Sequence, residues 1–548
     1  MIGSVRNKLF TVAAALLLSL SVAAQVRHSP RDSVIAETVM QRLAAEKELR
    51  SGEMLEMAAR ELLGTPYVAG TLDESGDEVL TVNLTRTDCI LFVETCMDMV
   101  LSVQERRAHW RGLCDNVLRS RYRDGVAGSY TDRIHYTTEW IRKGERRHIL
   151  EDLTLTLGGL TYSGHPINYM SCHPDRYPLL KDVQPIRDVE AELNRQPVTY
   201  IPKDSIGAVE KNFRPGDIVC FVTSIAGLDI SHVGIVTVRD GSAVFIHASS
   251  VAGKVIVDSR SIAQYAAAQK SCVGIKIVRM TERPATERHT FTFDGREREY
   301  YLYLPPGGGK DVPLVLVLHG YGGKAAGYRP EMLFPAREEG FAVCYPQGRA
   351  NSIGKTGWNV GYPSQQDLKD DDVALMIYLA GLLQEKFGLS RENTFFTGMS
   401  NGGEMCYLLA YSPDTTFSAL ASVAGLTMKW LYDGPKGSRP IPFMEIHGTA
   451  DKTSLWEGDP EGRYGWGSYM SVPAAIEAIT AQNGCTREET EALPLQHEGA
   501  HRVILHRYSG DNAAETLLYE VEGGKHSWAL DDLDTCREIW QFFKRHIK

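Results

Sequence analysis

The stretch Gly398-Met399-Ser400-Asn401-Gly402 constrains the fold of this chain more than any other. Asn393-Thr394-Phe395-Phe396-Thr397 runs into it as a short buried strand, and Gly403 to Tyr411 runs out of it as an amphipathic helix. A serine on such a strand-to-helix turn has an exposed Oγ and needs small neighbours. It also lies at the first N–H groups of the helix, where negative charge is favoured. The five-residue pattern alone is weak, because 50 glycines in 548 residues supply roughly a few tenths of a match by chance. Its flanks give it weight.

A serine hydroxyl is a poor nucleophile until a base takes its proton, so a histidine and an acid must accompany it. Ile441 to His447 reads as a core strand running into Gly448-Thr449-Ala450-Asp451, which puts Asp451 at the strand's carboxyl edge beside Ser400. Gly523-Gly524-Lys525-His526-Ser527-Trp528 offers the base, His526. Upstream, Val312 to Leu318 is a continuous apolar strand delivering His319-Gly320-Tyr321-Gly322-Gly323, whose glycines can turn a backbone N–H toward an oxyanion. Tyr321 and Asn401 are the expected donors. His319 and His447 stand next to motif glycines and read as orienting groups, while Asp371 and Asp372 favour a helix N-terminus.

The chain order Ser400, Asp451, His526 is that of α/β-hydrolases. From about residue 288 to 548 the sequence resembles the feruloyl and acetyl-xylan esterases and polyhydroxybutyrate depolymerases related to carbohydrate esterase family one. Besides the two glycine-rich motifs, the likeness rests on Gly357-Trp358-Asn359, Asp370-Asp371-Asp372-Val373, His447-Gly448-Thr449-Ala450-Asp451 and Asn483-Gly484-Cys485. It implies a secreted carboxylic ester hydrolase with a mostly parallel, doubly wound sheet. Ser400 would be the nucleophile, His526 the general base and Asp451 the group holding the imidazole tautomer. The sequence departs from the family at Ile476, near where a tryptophan is often found.

The other half has its own chemistry. A helical stretch from about Asp32 to Leu63 leads to Leu63-Gly64-Thr65-Pro66-Tyr67-Val68-Ala69-Gly70-Thr71-Leu72, then to the strand-like Val79 to Leu84 and to Thr87-Asp88-Cys89. The mostly apolar run Ile90 to Leu101 continues as a helix, so Cys89 falls at its N-terminus, a placement that can bring a thiol pKa to about 3.5–7.5. Ile230 to Val236 is a strand with His232 near its start, and Ala243 to Ser249 is a second strand carrying His247. The turn signal Asp240-Gly241-Ser242 makes the two a hairpin and brings the histidines together.

With Arg214-Pro215-Gly216-Asp217-Ile218-Val219 before the hairpin, residues 38 to 280 resemble the NlpC-type papain-like cell-wall amidases and endopeptidases. The stretch Leu63 to Leu72, Tyr130 to Tyr136 and Glu139-Trp140 look like the N-acetylmuramoyl-L-alanine amidase-like branch. Carried over, the likeness makes Cys89 the nucleophile, His232 the base and His247 the third residue, in an α+β domain acting on peptidoglycan. Ile90-Leu91 stand where small or hydroxylated residues are common, which narrows the expected groove. A competing use of Cys89, His232 and His247 is as three zinc ligands, although no H-E-x-x-H or C-x-x-C accompanies them.

Met1 to about Gln25 reads as a signal peptide: Arg6 and Lys8 precede the apolar run Phe10 to Leu20, and Val22-Ala23-Ala24 offers a small-residue cleavage site. No later stretch reaches 18 uninterrupted apolar residues, so no transmembrane anchor is expected after cleavage, and the protein is expected to be secreted or periplasmic. A net charge of −10 with no basic run argues against nucleic acid as partner. Ten cysteines in an exported chain invite disulfides, with Cys485 and Cys536 as candidate partners. The expected organisation is a signal peptide at 1–24, a cysteine amidase domain at 25–280, a charged, proline-broken linker at 281–288 and an esterase domain at 289–548.

The sequence thus points to an exported bifunctional hydrolase without metal or organic cofactor. Its expected partners are an ester-bearing polysaccharide and peptidoglycan. Two alternatives remain: a polyhydroxyalkanoate depolymerase fused to a cell-wall amidase, and a degenerate pair of hydrolase folds that binds cell-wall glycans.

Overall fold

The computed structural model describes residues 26–548 except 75, 163, 327–331 and 435–438, so the expected signal peptide lies outside the described residues. Two compact units emerge: one gathers the described residues to Leu101 with Gly112–Lys143 and Asp152–Arg279, the other Ser102–Arg111, Gly144–Glu151 and Met280–Lys548. Residues 281–286 have no regular structure, and a strand, Glu287–Phe293, begins inside the segment read as a linker. Among the described residues no helix is long and apolar enough to cross a membrane.

In the first unit the stretch expected as one helix from Asp32 to Leu63 is two, Pro30–Ala45 and Ser51–Glu61. The second is opened by the Glu53 carboxylate, which accepts the Arg50 N–H at 2.9 Å. Val79 to Leu84 is not a strand either. Thr81 bridges Arg27, and side chains take the backbone groups a ladder would have used: buried Asp32 accepts the N–H groups of Leu84 and Thr85 at 2.8 and 2.9 Å, and Arg121 donates to the Thr81 carbonyl.

The chain then enters the helix Cys89–Gln104, whose start is capped by Asp88 accepting the Leu91 N–H at 3.0 Å. Behind it lies an antiparallel sheet with the strand order Leu160–Tyr162, Val198–Pro202, Cys272–Met280, Ile218–Thr223, Ile230–Arg239, Ser242–Ser249, Lys254–Val257. The hairpin expected at Asp240-Gly241 is present, with both residues at positive φ, 52° and 77°, the signature of a tight two-residue turn.

The second unit is built on a ten-stranded sheet. Its order is Arg487–Ala492, Val503–Ser509, Thr516–Val521, Phe443–Gly448, Ala419–Val423, Leu389–Met399, Val312–Leu318, Ala342–Pro346, Arg296–Tyr303, Glu287–Phe293. The six strands from Thr516–Val521 to Ala342–Pro346 are parallel, and antiparallel pairs close both edges. Val312–Leu318 shows why its sequence is apolar throughout: Leu314, Leu316 and Leu318 join the core on one face of the sheet, and Val315 and Val317 the core on the other. The parallel strands all point their carboxyl ends to one edge, where Ser400, the loop His319–Gly323, Asp451 and His526 follow their strands.

Candidate active sites

The strand Leu389–Met399 ends at Ser400, and the helix Asn401–Ala410 begins immediately after it. Ser400 sits at φ 57°, ψ −123°, a conformation costly for a residue with a Cβ. It is held by its neighbours: the Ser400 N–H donates to Val423 O at 2.8 Å, and its own carbonyl accepts the Glu404 N–H at 2.9 Å. Gly402 is required for the helix to pack under the sheet edge, since a Cβ there would lie 2.6 Å from Leu318 O and 2.8 Å from His319 O. The motif glycines therefore serve close approach, and the strain falls on the serine.

The His319–Gly323 loop comes against this turn, a Cβ at Gly320 lying 3.2 Å from Ser400 Cβ. Within it the Gly322 N–H donates to Thr356 O at 2.6 Å and the Gly323 N–H to Gly320 O at 3.0 Å, bonds that do not use the Tyr321 N–H. Asn401 opens its helix, so its N–H is one of the donors without an intrahelical partner. Its side chain does separate work, accepting the Trp358 N–H at 2.7 Å and donating to Trp358 O at 3.0 Å. Buried His319 is an orienting group, as expected. Its Nδ1 bonds Gly320 O at 2.8 Å, its Nε2 accepts the Gly348 N–H at 3.0 Å, and burial holds its pKa down to about 4, so it is neutral.

Asp451 and His526 meet across the sheet edge, His526 Nδ1 lying 2.6 Å from Asp451 Oδ2. The other carboxylate oxygen accepts the N–H groups of Thr453 and Ser454 at 2.7 and 2.9 Å. This leaves His526 with Nε2 as its basic nitrogen. His447 does more than flank a glycine: it is buried beneath Asp451, with Nδ1 2.9 Å from Glu445 Oε1, Nε2 2.8 Å from Ser454 O and 3.6 Å from Asp451 Oδ2. Burial alone would lower its pKa, but the hydrogen bond and charge of Glu445 prevail and raise it.

Glu404, buried on the helix behind Ser400, was not singled out by the sequence. It bonds the Tyr362 hydroxyl, and desolvation pushes its pKa up to about 8 despite that bond. Because the folded value lies above the unfolded 4.5, the unfolded chain releases this proton first. The stability contributed by the protonated carboxyl is therefore complete below pH 4.5 and lost as pH rises through about 8. Glu404→Gln keeps the neutral shape and should remove a slope of up to about 1.4 kcal/mol per pH unit in that window. Urea unfolding of wild type and variant at pH 5 and pH 7.5 checks this: the variant gains relative stability at the higher pH, and equal slopes would refute it.

Asp372, expected only to favour a helix N-terminus, is buried and accepts the Asn359 N–H at 2.7 Å, and burial raises its pKa to about 6. The dipole role falls to Asp371, which caps Ala374 N–H at 2.9 Å. Ile476 is buried in the helix Val472–Asn483 and packs into the core on one face of the sheet. In the loop beside Ser400, Tyr321 packs with buried Tyr362 and with Trp466, the ring centroids standing 5.2–5.9 Å apart. Cys485 is a free thiol bonded to Ala514 O at 3.3 Å, so the expected Cys485–Cys536 disulfide is not formed.

In the first unit the hairpin does bring the two histidines together: His232 Nε2 lies 2.7 Å from His247 Nδ1, with the rings near perpendicular at 86°. Gly234 makes the room, since a Cβ there would lie 3.1 Å from His247 Cβ and 2.5 Å from the Phe245 ring. Beyond them the sequence missed a further member, Asp258, whose Oδ2 is 3.4 Å from His247 Nε2 and 2.8 Å from Arg260. No motif marks Asp258; only the register of Ser242–Ser249 against Lys254–Val257 carries it there. One proton arrangement satisfies the line: His247 donates to Asp258, His232 donates to His247, and His232 Nδ1 is left to accept. The bond between the two rings is the opposite of what a shared zinc ion would need from these nitrogens.

Cys89 opens its helix as expected, and the backbone N–H of Val233, the residue after His232, donates toward it. The expected depressed thiol pKa is overturned. Desolvation comes first and the Asp88 charge second, and together they push the thiol up to about 12 against the helix amides. Burial likewise holds His232 down to about 3 and His247 to about 4. The resting pair is thus a neutral thiol and a neutral imidazole. A cavity of about 270 Å³ opens against the start of the Cys89 helix, walled by Asp88, Ile90, Leu91, Tyr130, Arg133 and Trp140, so Ile90 and Leu91 do face it, while Cys89 and the two histidines are not among its walls.

Residues 57–275 match the family model of N-acetylmuramoyl-L-alanine amidase-like proteins, and residues 298–432 that of esterase PHB depolymerases. The likeness of each half, read from motifs, is therefore met. NocK of Nocardia uniformis subsp. tsuyamanensis, an esterase by name, is 29% identical over 253 residues, 43% of this chain and 71% of NocK. The bifunctional acetylxylan esterase/xylanase XynS20E of Neocallimastix patriciarum is 26% identical over 254 residues, 45% of this chain and 33% of that protein. A crystal structure of an N-acetylmuramoyl-L-alanine amidase from Bacteroides uniformis ATCC 8492 has 31% identity, covering 42% of this chain and 99% of that one, with a TM-score of 0.39.

Proposed function

We propose that this chain is an exported hydrolase with two acyl-transfer sites. The C-terminal unit would be a carboxylic ester hydrolase for feruloyl or acetyl esters on polysaccharide, and the N-terminal unit a papain-like amidase for peptidoglycan. The observation that carries the first is the 2.6 Å bond between His526 and Asp451 at the same sheet edge as the strained Ser400 turn. His526 Nε2 takes the Ser400 proton as Oγ attacks the ester carbonyl, and the oxyanion is received by the N–H groups of Tyr321 and Asn401. Collapse expels the alcohol, which takes the proton from His526. Water, deprotonated by the same nitrogen, then releases the acid.

In the N-terminal unit the neutral pair requires the thiol proton to pass to His232 as sulfur attacks the amide carbon. Rising positive charge on His232 is spread through His247 toward Asp258. His232 then protonates the leaving amine, and water cleaves the thioester. The alternative, in which this unit binds glycan without cutting it, is an outcome of the test of this mechanism. Product analysis by mass spectrometry on peptidoglycan and on feruloylated, acetylated xylan decides, using wild type, Cys89→Ala and Ser400→Ala. Peptide release lost only in Cys89→Ala and ester cleavage lost only in Ser400→Ala are expected; no turnover of peptidoglycan by wild type would leave the binding reading for the first unit.

A further inference from the structure

Tyr362 of the aromatic cluster also walls a cavity of about 510 Å³, with Pro363, Gln366, Lys429, Trp430 and Ser468. We propose that this cavity is a subsite for an uncharged stretch of glycan, the polymer side of the ester; this rests on the esterase reading above. Trp430 carries the inference. It follows the strand Ala419–Val423 at the same sheet edge as Ser400 and Asp451, yet 54% of its surface is exposed. The indole is nevertheless fixed, its Nε1 donating to Val360 O at 3.3 Å. It lies so close over Gly361 that a Cβ there would stand 2.8 Å from Nε1. A large aromatic anchored at its indole nitrogen and left half open to water offers apolar ring surface of the kind that packs against the C–H face of a pyranose or pentose ring.

The surrounding groups fit a neutral polyol. Gln366 and Ser468 offer hydrogen bonds, and the Lys429 charge is met by Asp433. Tyr362 forms both a wall of this cavity and, with Tyr321 and Trp466, the aromatic layer against the His319–Gly323 loop. The acyl group must sit on Ser400, and a cavity whose walls offer hydrogen bonds and no unmet charge suits the alcohol half of the ester better than the acyl half. In a polysaccharide ester the alcohol half is the chain.

The test uses the full protein with Trp430→Ala and the conservative Trp430→Phe. Kinetics are measured on acetylated xylan and on 4-nitrophenyl acetate, and unesterified xylohexaose is titrated into Ser400→Ala with and without the tryptophan change. The expected result is a fall of about tenfold in the ratio of kcat/KM on xylan to that on 4-nitrophenyl acetate. The loss should lie in KM, be largely restored by phenylalanine, and be matched by lost xylohexaose binding. An unchanged ratio with unchanged xylohexaose binding overturns the subsite. If wild type cleaves neither ester, the esterase reading fails by itself, and xylohexaose binding that depends on Trp430 still supports a glycan site.

Discussion

Ser400→Ala should lower kcat for ester hydrolysis by about 10⁴-fold or more while leaving KM nearly unchanged. The serine is the only group at the turn with a hydroxyl that a base can activate, and its backbone is already set by the Val423 and Glu404 bonds, so alanine loses chemistry without loss of fold. Asp451→Asn should cost about as much, near 10⁴-fold, for a different reason. The Thr453 and Ser454 amides would still find a carbonyl oxygen, but an amide N–H would face His526 Nδ1 and force the proton to Nε2. The base would then be a donor aimed at the serine. Burst kinetics on 4-nitrophenyl acetate measure both effects; a fall of less than about tenfold in either variant would remove that residue from the mechanism.

Arg121→Met should cost the first unit about 3–5 kcal/mol. Arg121 and Glu94 are each about 3% exposed, and the guanidinium reaches one carboxylate oxygen through Nε at 2.8 Å and Nη2 at 2.5 Å while its third nitrogen holds the Thr81 carbonyl. Desolvation already raises the Glu94 pKa against the pull of Arg121, and the Asp88 charge adds to it. Without the arginine, Glu94 would be left buried and uncompensated, and the Thr81 segment would lose its tie. Scanning calorimetry of the full chain checks this, the transition of the second unit serving as reference. Glu94→Gln combined with Arg121→Met should regain part of the loss, since no buried charge then remains; equal losses in the single and double variants would contradict the charge-burial account.

Most of the C-terminal site was legible because each of its members lies within a few residues after the end of a strand. An apolar run of fixed length followed by glycines tells where a parallel strand stops, and parallel strands deliver their carboxyl ends to one edge. Ser400, Asp451, His526, Tyr321 and Asn401 are all placed by that rule. In the N-terminal unit the same logic reached Cys89 at a helix start and His232 and His247 on a hairpin, whose turn type is written in Asp240-Gly241. It failed at Val79 to Leu84, where the apolar alternation of a strand is present but the side chains of Asp32 and Arg121 replace the partner strand.

What the sequence determined by itself is local: where strands end, which turn joins the histidines, and which residue types with hydroxyl, thiol, imidazole and carboxylate groups fall at those ends. What only the tertiary structure decided is how water is excluded and which groups meet across elements. Cys89 has the helix start that lowers a thiol pKa, yet its surroundings remove more solvation than the amides return. Asp258 joins His247 through the pairing of two strands, which no spacing encodes, and His447 is shut from water beneath Asp451 by the packing around its strand. Desolvation and charge pairing depend on every neighbour within a few ångströms in space, and those neighbours come from all parts of the chain.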